Sequence, residues 1–128
     1  MIRLKGMAAA AILAAAAVAS PALAHHSVNA QFDTSKMIEV TGVLQEVRNI
    51  NPHSQWIVVV KNAAGQPEVW NLESLGAGAL RRQGVKVKEE IKIGETYTFI
   101  CVPPWDGSHS GNVQAMVING RTVVLSRL

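Results

Sequence analysis

Apolar residues recur at alternate positions, or in short β-branched runs, along most of the chain after residue 36, which predicts β-strands. Turn residues such as Asn, Gly and Pro separate these segments. Six segments carry the pattern, and they are residues 37–47, 54–60, 67–73, 93–102, 112–118 and 121–126. Gly42 interrupts the first segment, so we expect a bulge or a sharp bend there.

Two local signals refine this pattern of strands. Asn119-Gly120 is a two-residue hairpin signal between the last two segments. Residues 76–84, GAGALRRQG, lack alternation and predict a short helix that Gly84 closes. The sequence therefore predicts three strands, one short helix and then further strands.

This order of elements is that of a small all-β Greek-key barrel of five to six strands, of the oligonucleotide/oligosaccharide-binding (OB) type. A glycine in the middle of a long first strand fits a barrel, because that strand has to bend to pair on both sides. A small β-sandwich is the alternative. We expect one barrel domain over residues 37–128, preceded by an N-terminal arm over residues 25–36.

The first 24 residues have the order of a secretory signal peptide. A short cationic start precedes an uncharged run over residues 7–19 and the tripeptide Ala-Leu-Ala at 22–24. A membrane-spanning helix needs roughly 20 apolar residues, so this run is too short to be one. We expect cleavage after Ala24, a mature chain that begins at His25 without a membrane anchor, and a periplasmic or extracellular location in a bacterium.

Cleavage changes the charge of the molecule. The full chain has 12 Lys and Arg residues against 9 Asp and Glu residues, and two of the cations, Arg3 and Lys5, leave with the signal. The mature chain keeps ten Lys and Arg residues against nine Asp and Glu residues. A net charge near +1 gives no support to binding of nucleic acid or of an anionic membrane surface.

The nucleophiles of the chain give no catalytic pattern. Ser27, Ser54 and Ser108 each adjoin a histidine, but neighbouring side chains of a strand point to opposite faces. Cys101 is the only cysteine, so the chain has no intrachain disulfide, and its apolar surroundings predict a buried, inert thiol. We expect a non-enzymatic protein with no catalytic residues.

The chain carries a series of nine short motifs in a defined order. They are AHHS (24–27), FD (32–33), VTGVLQEV (40–47), NPH (51–53), WIVV (56–59), VWNLE (69–73), LRRQG (80–84), DGS (106–108) and NGR (119–121). In their order and spacing they resemble domain of unknown function 6152, a family of small secreted bacterial proteins. Two stretches depart from the family pattern: SLGAGAL replaces a Ser-Pro-Asn-type turn, and GVKVKEEIKIGE lacks a Trp after its Gly. The resemblance implies secretion and supplies no activity.

The four histidines, His25, His26, His53 and His109, all lie outside the apolar strand runs and are the candidate metal ligands. An N-terminal His25 offers its α-amino group and its ring nitrogen to one metal, and further imidazoles would complete a nitrogen-rich site suited to Cu(II). Closing the loop of about 27 residues to His53 costs roughly 3 kcal/mol, whereas a structural metal site returns on the order of 10 kcal/mol. We therefore predict copper at His25, with His53 as distal ligand and His26 or His109 completing the site.

A different class of function stays open beside the metal site. An OB-like module without metal would bind an oligosaccharide or a periplasmic protein partner through its loops. Trp105 and Asp106, after the fourth strand, and Asn51, after the first, are the candidate contacts for such a ligand. Both hypotheses describe a protein that binds a small ligand, a metal ion or a protein partner, and neither involves nucleic acid.

Overall fold

The structure is a computed structural model that describes residues 28–126. Residues 28–31 are helical, and six strands and two short helices follow. In chain order they are β1 (Ile38–Arg48), β2 (His53–Lys61), β3 (Pro67–Leu75), α1 (Ala77–Arg82), α2 (Val87–Glu90), β4 (Thr96–Val102), β5 (Ser110–Ile118) and β6 (Arg121–Val124). Each predicted strand is present within three residues of its predicted bounds, and the predicted helix is α1.

The strands form one sheet in the order β3-β2-β1-β4-β5-β6, which closes on itself through a short parallel pairing of β3 with β5. In this pairing, called the seam below, residues 71–73 lie beside residues 110–112. The last residues of β5, from Ala115, pair with β6 instead. The molecule is thus a closed five-stranded barrel with one extra strand. The OB-type prediction is confirmed, and the sandwich alternative is wrong.

β1 pairs with β4 along its first half and with β2 along its second half, as a bending strand of a barrel does. The register with β2 shifts between Leu44 and Glu46, two residues beyond Gly42. A Cβ atom at Gly42 would lie 2.3 Å from the carbonyl oxygen of Val59. The predicted irregularity therefore occurs slightly later in β1, and glycine is needed at position 42 because the neighbouring backbone comes so close.

The barrel interior holds a single hydrophobic core. Its fully buried side chains include Leu44, Trp56, Val58, Leu72, Leu80, Val85, Phe99, Cys101, Val102, Val113, Met116 and Ile118. The rings of Trp56 and Phe99 meet at a centroid distance of 5.6 Å. The indole N–H of Trp56 donates a hydrogen bond to the hydroxyl of Ser74 at 2.8 Å, so the polar atom of this large residue is satisfied inside the core.

Two short helices lie between β3 and β4. Leu80 is the buried residue of α1, and Gly84 follows the helix with a positive φ of 87°, the conformation that favours glycine after a helix end. The second helix, α2, has no apolar periodicity that would have predicted it. It is held to β6 by the ion pair of Glu90 with Arg121 at 2.9 Å.

The hairpin of β5 and β6 turns at Asn119-Gly120, as its sequence predicts. Both residues have positive φ angles, 50° and 76°, which is the requirement of a type I′ turn. Within residues 28–126, no helix is long and apolar enough to cross a bilayer.

Candidate functional site

His53 is the first residue of β2, on the outer face of the barrel. Ser54, the next residue, is fully buried and points inward, so alternation turns the His53 imidazole outward. Its Nδ1 atom lies 2.6 Å from Oε1 of Glu73 on β3, and its side chain is 57% exposed. The carboxylate fixes the imidazole through Nδ1, while Nε2 is the ring nitrogen that this contact does not use.

His109 lies in a different environment, just before β5. Its ring stacks on the indole of Trp70 with a centroid distance of 5.0 Å and an interplanar angle of 13°. Its Nε2 atom lies 3.4 Å from Oε2 of Glu68. Two β3 side chains on the inward-facing side of the strand therefore hold His109 in place.

The structure does not bring His53 and His109 together. Their carboxylate partners, Glu73 and Glu68, are five residues apart on β3, or about 17 Å along an extended strand, and their side chains point to opposite faces. Among residues 28–126, no group of three or more His, Cys, Asp or Glu side chains is placed to hold a metal. A metal site that combines both histidines does not fit this geometry.

The remaining predicted metal ligands, His25 and His26, lie outside the described residues. The arm that follows them is fixed at Phe32 and Asp33, which pair with Pro104 and Pro103 at the end of β4. Phe32 is buried, and the carboxylate of Asp33 accepts hydrogen bonds from Ser35, which lower its pKa. Asp33 thus stabilises the turn that follows it.

Asn51 has a structural contact in the loop between β1 and β2. Its Oδ1 atom accepts the backbone N–H of Gly78 in α1 at 3.2 Å, and the N–H of Ala77 donates to the carbonyl of Ile50 at 2.9 Å. Asn51 thus holds this loop against the start of α1. Its role in ligand binding stays a prediction.

Trp105 and Asp106 are in the loop between β4 and β5. Trp105 is 62% exposed. The Oδ1 atom of Asp106 accepts the backbone N–H of Ser108 at 2.9 Å, and hydrogen bonds from Ser108 lower the pKa of this carboxyl. β4 is antiparallel to β3, since β5 pairs with both, so the loop after β4 lies towards the Pro67 end of β3. Asn51 lies beyond the Leu75 end of the same strand. The three predicted contacts do not form one site.

The three tryptophans have different environments. Trp56 is a core residue with its N–H satisfied. Trp70 is half-buried beneath His109, and its indole N–H has no hydrogen-bond partner within residues 28–126. The outer face of β1, β2 and β3 carries no tryptophan; a row of paired valines, Val43, Val59 and Val69, crosses it.

A cleft between α1, α2 and the loop after β1 is a feature that the sequence analysis did not locate. It encloses about 230 Å³. Its lining residues are Asn49, Ala77, Gly78, Arg81, Val85, Lys86, Val87, Lys88 and Glu89. The cluster of Lys and Arg after residue 80 was the available signal, but the cleft depends on a helix, α2, that no pattern predicted.

Comparison with solved structures supports the fold assignment. The mitochondrial single-stranded DNA binding protein Rim1 of S. cerevisiae is similar, with a TM-score of 0.50 and 9% sequence identity over 66% of this chain and 93% of that chain. A second crystal of Rim1, labelled with selenomethionine, gives a TM-score of 0.48 and 7% identity over 72% and 97%. At these identities the likeness concerns the fold alone.

Comparison at the level of sequence gives the family. No curated protein matches the chain. Residues 12–114 match the sequence model of the family described as "Family of unknown function (DUF6152)", which covers most of the chain and confirms the resemblance drawn from the short motifs. The chain therefore belongs to this family of unknown function.

Proposed function

We propose that this protein is a secreted, non-enzymatic binding protein that holds Cu(II) between its mature N-terminus and His53. His25 supplies the α-amino group and a ring nitrogen, and His53 supplies a third nitrogen from the barrel. The observation that carries the proposal is the contact of His53 with Glu73 at 2.6 Å.

A contact with a carboxylate of this kind orients the histidine ligands of many metal sites. A ligand imidazole usually donates its second ring N–H to a carboxylate, which fixes the tautomer and the ring orientation. Glu73 accepts a hydrogen bond from the Nδ1–H of His53. The ring points outward from β2, so Nε2 is the nitrogen that would bind the metal. His53 is therefore oriented before any metal arrives.

His26 is a better fourth ligand than His109. His26 adjoins the proposed chelate in sequence, whereas His109 is stacked on Trp70 and faces away from His53. We therefore revise the predicted ligand set to His25, His26 and His53. His109 becomes a matched control, since it is also a half-exposed histidine beside a glutamate.

The alternative function is recognition of an oligosaccharide or a partner protein at the loop that carries Trp105. The exposure of this indole favours it, because an aromatic face packs well on a sugar ring or an apolar protein surface. Single-stranded nucleic acid is a poorer candidate, since the outer face of β1, β2 and β3 offers valines instead of aromatic stacking platforms.

A Cu(II) titration of the exported, processed protein tests the proposal. Adding one alanine before His25 keeps every side chain and removes the terminal chelate, so the affinity for Cu(II) should fall by more than about tenfold. Glu73→Gln should weaken Cu(II) binding by about 10- to 100-fold through the loss of the oriented imidazole. The dissociation constants are measured by calorimetry against a competing chelator, and Zn(II) should bind more weakly throughout.

The control variants separate a specific site from general histidine binding. His53→Ala should weaken the binding, and His109→Ala should leave it unchanged. Nitrogen hyperfine structure in the electron paramagnetic resonance spectrum should lose one imidazole in His53→Ala alone. Equal affinity in the native and the Ala-extended protein would contradict the chelate, and the Trp105 loop would then be the better site to pursue.

A further inference from the structure

Positive charge is concentrated in one short part of the chain. Five of the ten Lys and Arg residues that follow residue 24 lie within residues 81–92: Arg81, Arg82, Lys86, Lys88 and Lys92. The same segment holds two acids, Glu89 and Glu90, so its net charge is +3. The rest of the mature chain, with five cations and seven acids, is net negative. A molecule that is nearly neutral as a whole therefore has one basic region.

Three of these cations line the cleft between α1 and α2. Arg81 comes from α1, Lys86 from the connection between the helices, and Lys88 from α2. The floor is apolar, since Val85 and Val87 are buried and line the same space. The cleft thus combines a cationic rim with a hydrophobic base.

The cations of the rim form no direct salt bridge within residues 28–126. Arg48 and Arg121 each pair with a glutamate, at 2.7 and 2.9 Å. In contrast, Arg81, Lys86 and Lys88 form no ion pair and no side-chain hydrogen bond within the part of the chain that the structure describes. Glu90, the nearby acid, accepts the backbone N–H of Lys86 and hydrogen bonds from Arg121, which lower its pKa together with the charge of Lys86. Glu89 is the one acid among the residues that line the cleft.

We propose that this cleft binds a small organic anion, with the carboxylate or phosphate group between Arg81, Lys86 and Lys88 and an apolar part against Val85 and Val87. A planar guanidinium and two ammonium groups suit a carboxylate or a phosphate monoester. The volume of about 230 Å³ lies below that of pockets for drug-sized ligands, so the ligand has about one ring or a short chain. The lining of the cleft shares no residue with the proposed copper ligands.

Titrations with simple probes on the metal-free protein test this site. Phenyl phosphate should bind and should shift the amide resonances of Gly78 and Val87 in a ¹H–¹⁵N spectrum at low salt. Inorganic phosphate should bind at least about tenfold more weakly, because it leaves the apolar floor uncovered. Benzyl alcohol, which has the ring without the charge, should not bind measurably. Equal affinity for all three probes would overturn the proposal.

A pair of double variants distinguishes the cleft from the overall charge. Arg81→Gln with Lys86→Gln should weaken phenyl phosphate binding by at least about tenfold, since two charge-assisted contacts are lost. Lys36→Gln with Lys61→Gln removes the same net charge at other places and should leave the affinity unchanged. Thermal unfolding of both proteins verifies that they are folded. An equal loss of affinity in the two double variants would reduce the effect to general electrostatic attraction and refute the site.

Discussion

Cys101 is a single residue whose surroundings determine its chemistry. It is fully buried in β4, and burial raises the pKa of its thiol to about 12. A Cβ atom at Gly111 on β5 would lie 2.8 Å from the Cβ of Cys101, so the neighbouring strand packs directly on this side chain. The sequence-based expectation of a buried thiol is confirmed, and at neutral pH the sulfur is protonated and unreactive.

Because the pKa of Cys101 is raised, the free energy of unfolding falls as the pH becomes alkaline. In the unfolded chain the thiol ionises near its ordinary value of 9.0, whereas in the folded protein it stays neutral to about 12. The stability that burial of the neutral thiol contributes is therefore complete below pH 9 and is lost as the pH rises towards 12. We expect urea unfolding to show a loss of about 3 kcal/mol between pH 8 and pH 11 from this group.

The comparison variant for this prediction is Cys101→Ala. It should be less stable at pH 8, because a cavity replaces the sulfur. Its stability should nevertheless fall less steeply from pH 8 to pH 11, since Tyr and Lys titration are common to both proteins. Parallel pH profiles of the two proteins would contradict the assigned cause.

Sequence reasoning identified His53 as a candidate ligand but not the carboxylate that orients it. Glu73 lies 20 positions further on, and only the register of the β2–β3 hairpin brings the two together. That register follows from the turn, because the pair Lys61 and Pro67 beside the turn implies the pair of Gln55 with Glu73. The signal was therefore present in the sequence, but its use depended on knowing where the turn ends.

At the scale of the elements, strands were easier to predict than their details. Alternation and β-branched runs located all six strands, and five of them, β1 to β5, turn buried side chains to the core. The position of the β1 bulge was two residues off, since the bulge depends on how two neighbouring strands meet. α2 was missed because four residues, VKEE, carry no periodic pattern.

Gly42 and Gly78 provide a matched test of the contacts around β1. Gly42→Ala places a methyl group 2.3 Å from the carbonyl oxygen of Val59, so we expect a loss of about 1–3 kcal/mol in the free energy of unfolding. Gly78→Ala, in α1, meets nothing closer than 3.7 Å and should raise stability by about 0.5–1 kcal/mol. Urea unfolding midpoints measure both changes, and a neutral Gly42→Ala would show that β1 and β2 can separate at little cost.

At the scale of the whole molecule, the proposed copper chelate depends on where the mature chain begins. Export from a bacterial cell should yield a protein that is shorter by residues 1–24, because the Ala-Leu-Ala tripeptide precedes His25. The intact mass of the exported protein measures this directly. A mass that retains the first 24 residues would contradict the cleavage and the chelate, and one that starts beyond His26 would contradict the chelate alone.

The seam between β3 and β5 has a consequence for how the barrel forms. The β2–β3 and β5–β6 hairpins join residues as close as Lys61 with Pro67 and Ile118 with Arg121, whereas the seam joins Asn71 to Ser110, 39 positions apart. The chain entropy of closing so long a loop has to be offset by three residue pairs and the core beneath them. With three residue pairs, the seam is the shortest strand pairing of the sheet, so we expect it to open before the others. Each opening exposes two strand edges to other copies of the chain. The resistance of the protein to aggregation therefore depends on how long the barrel stays closed.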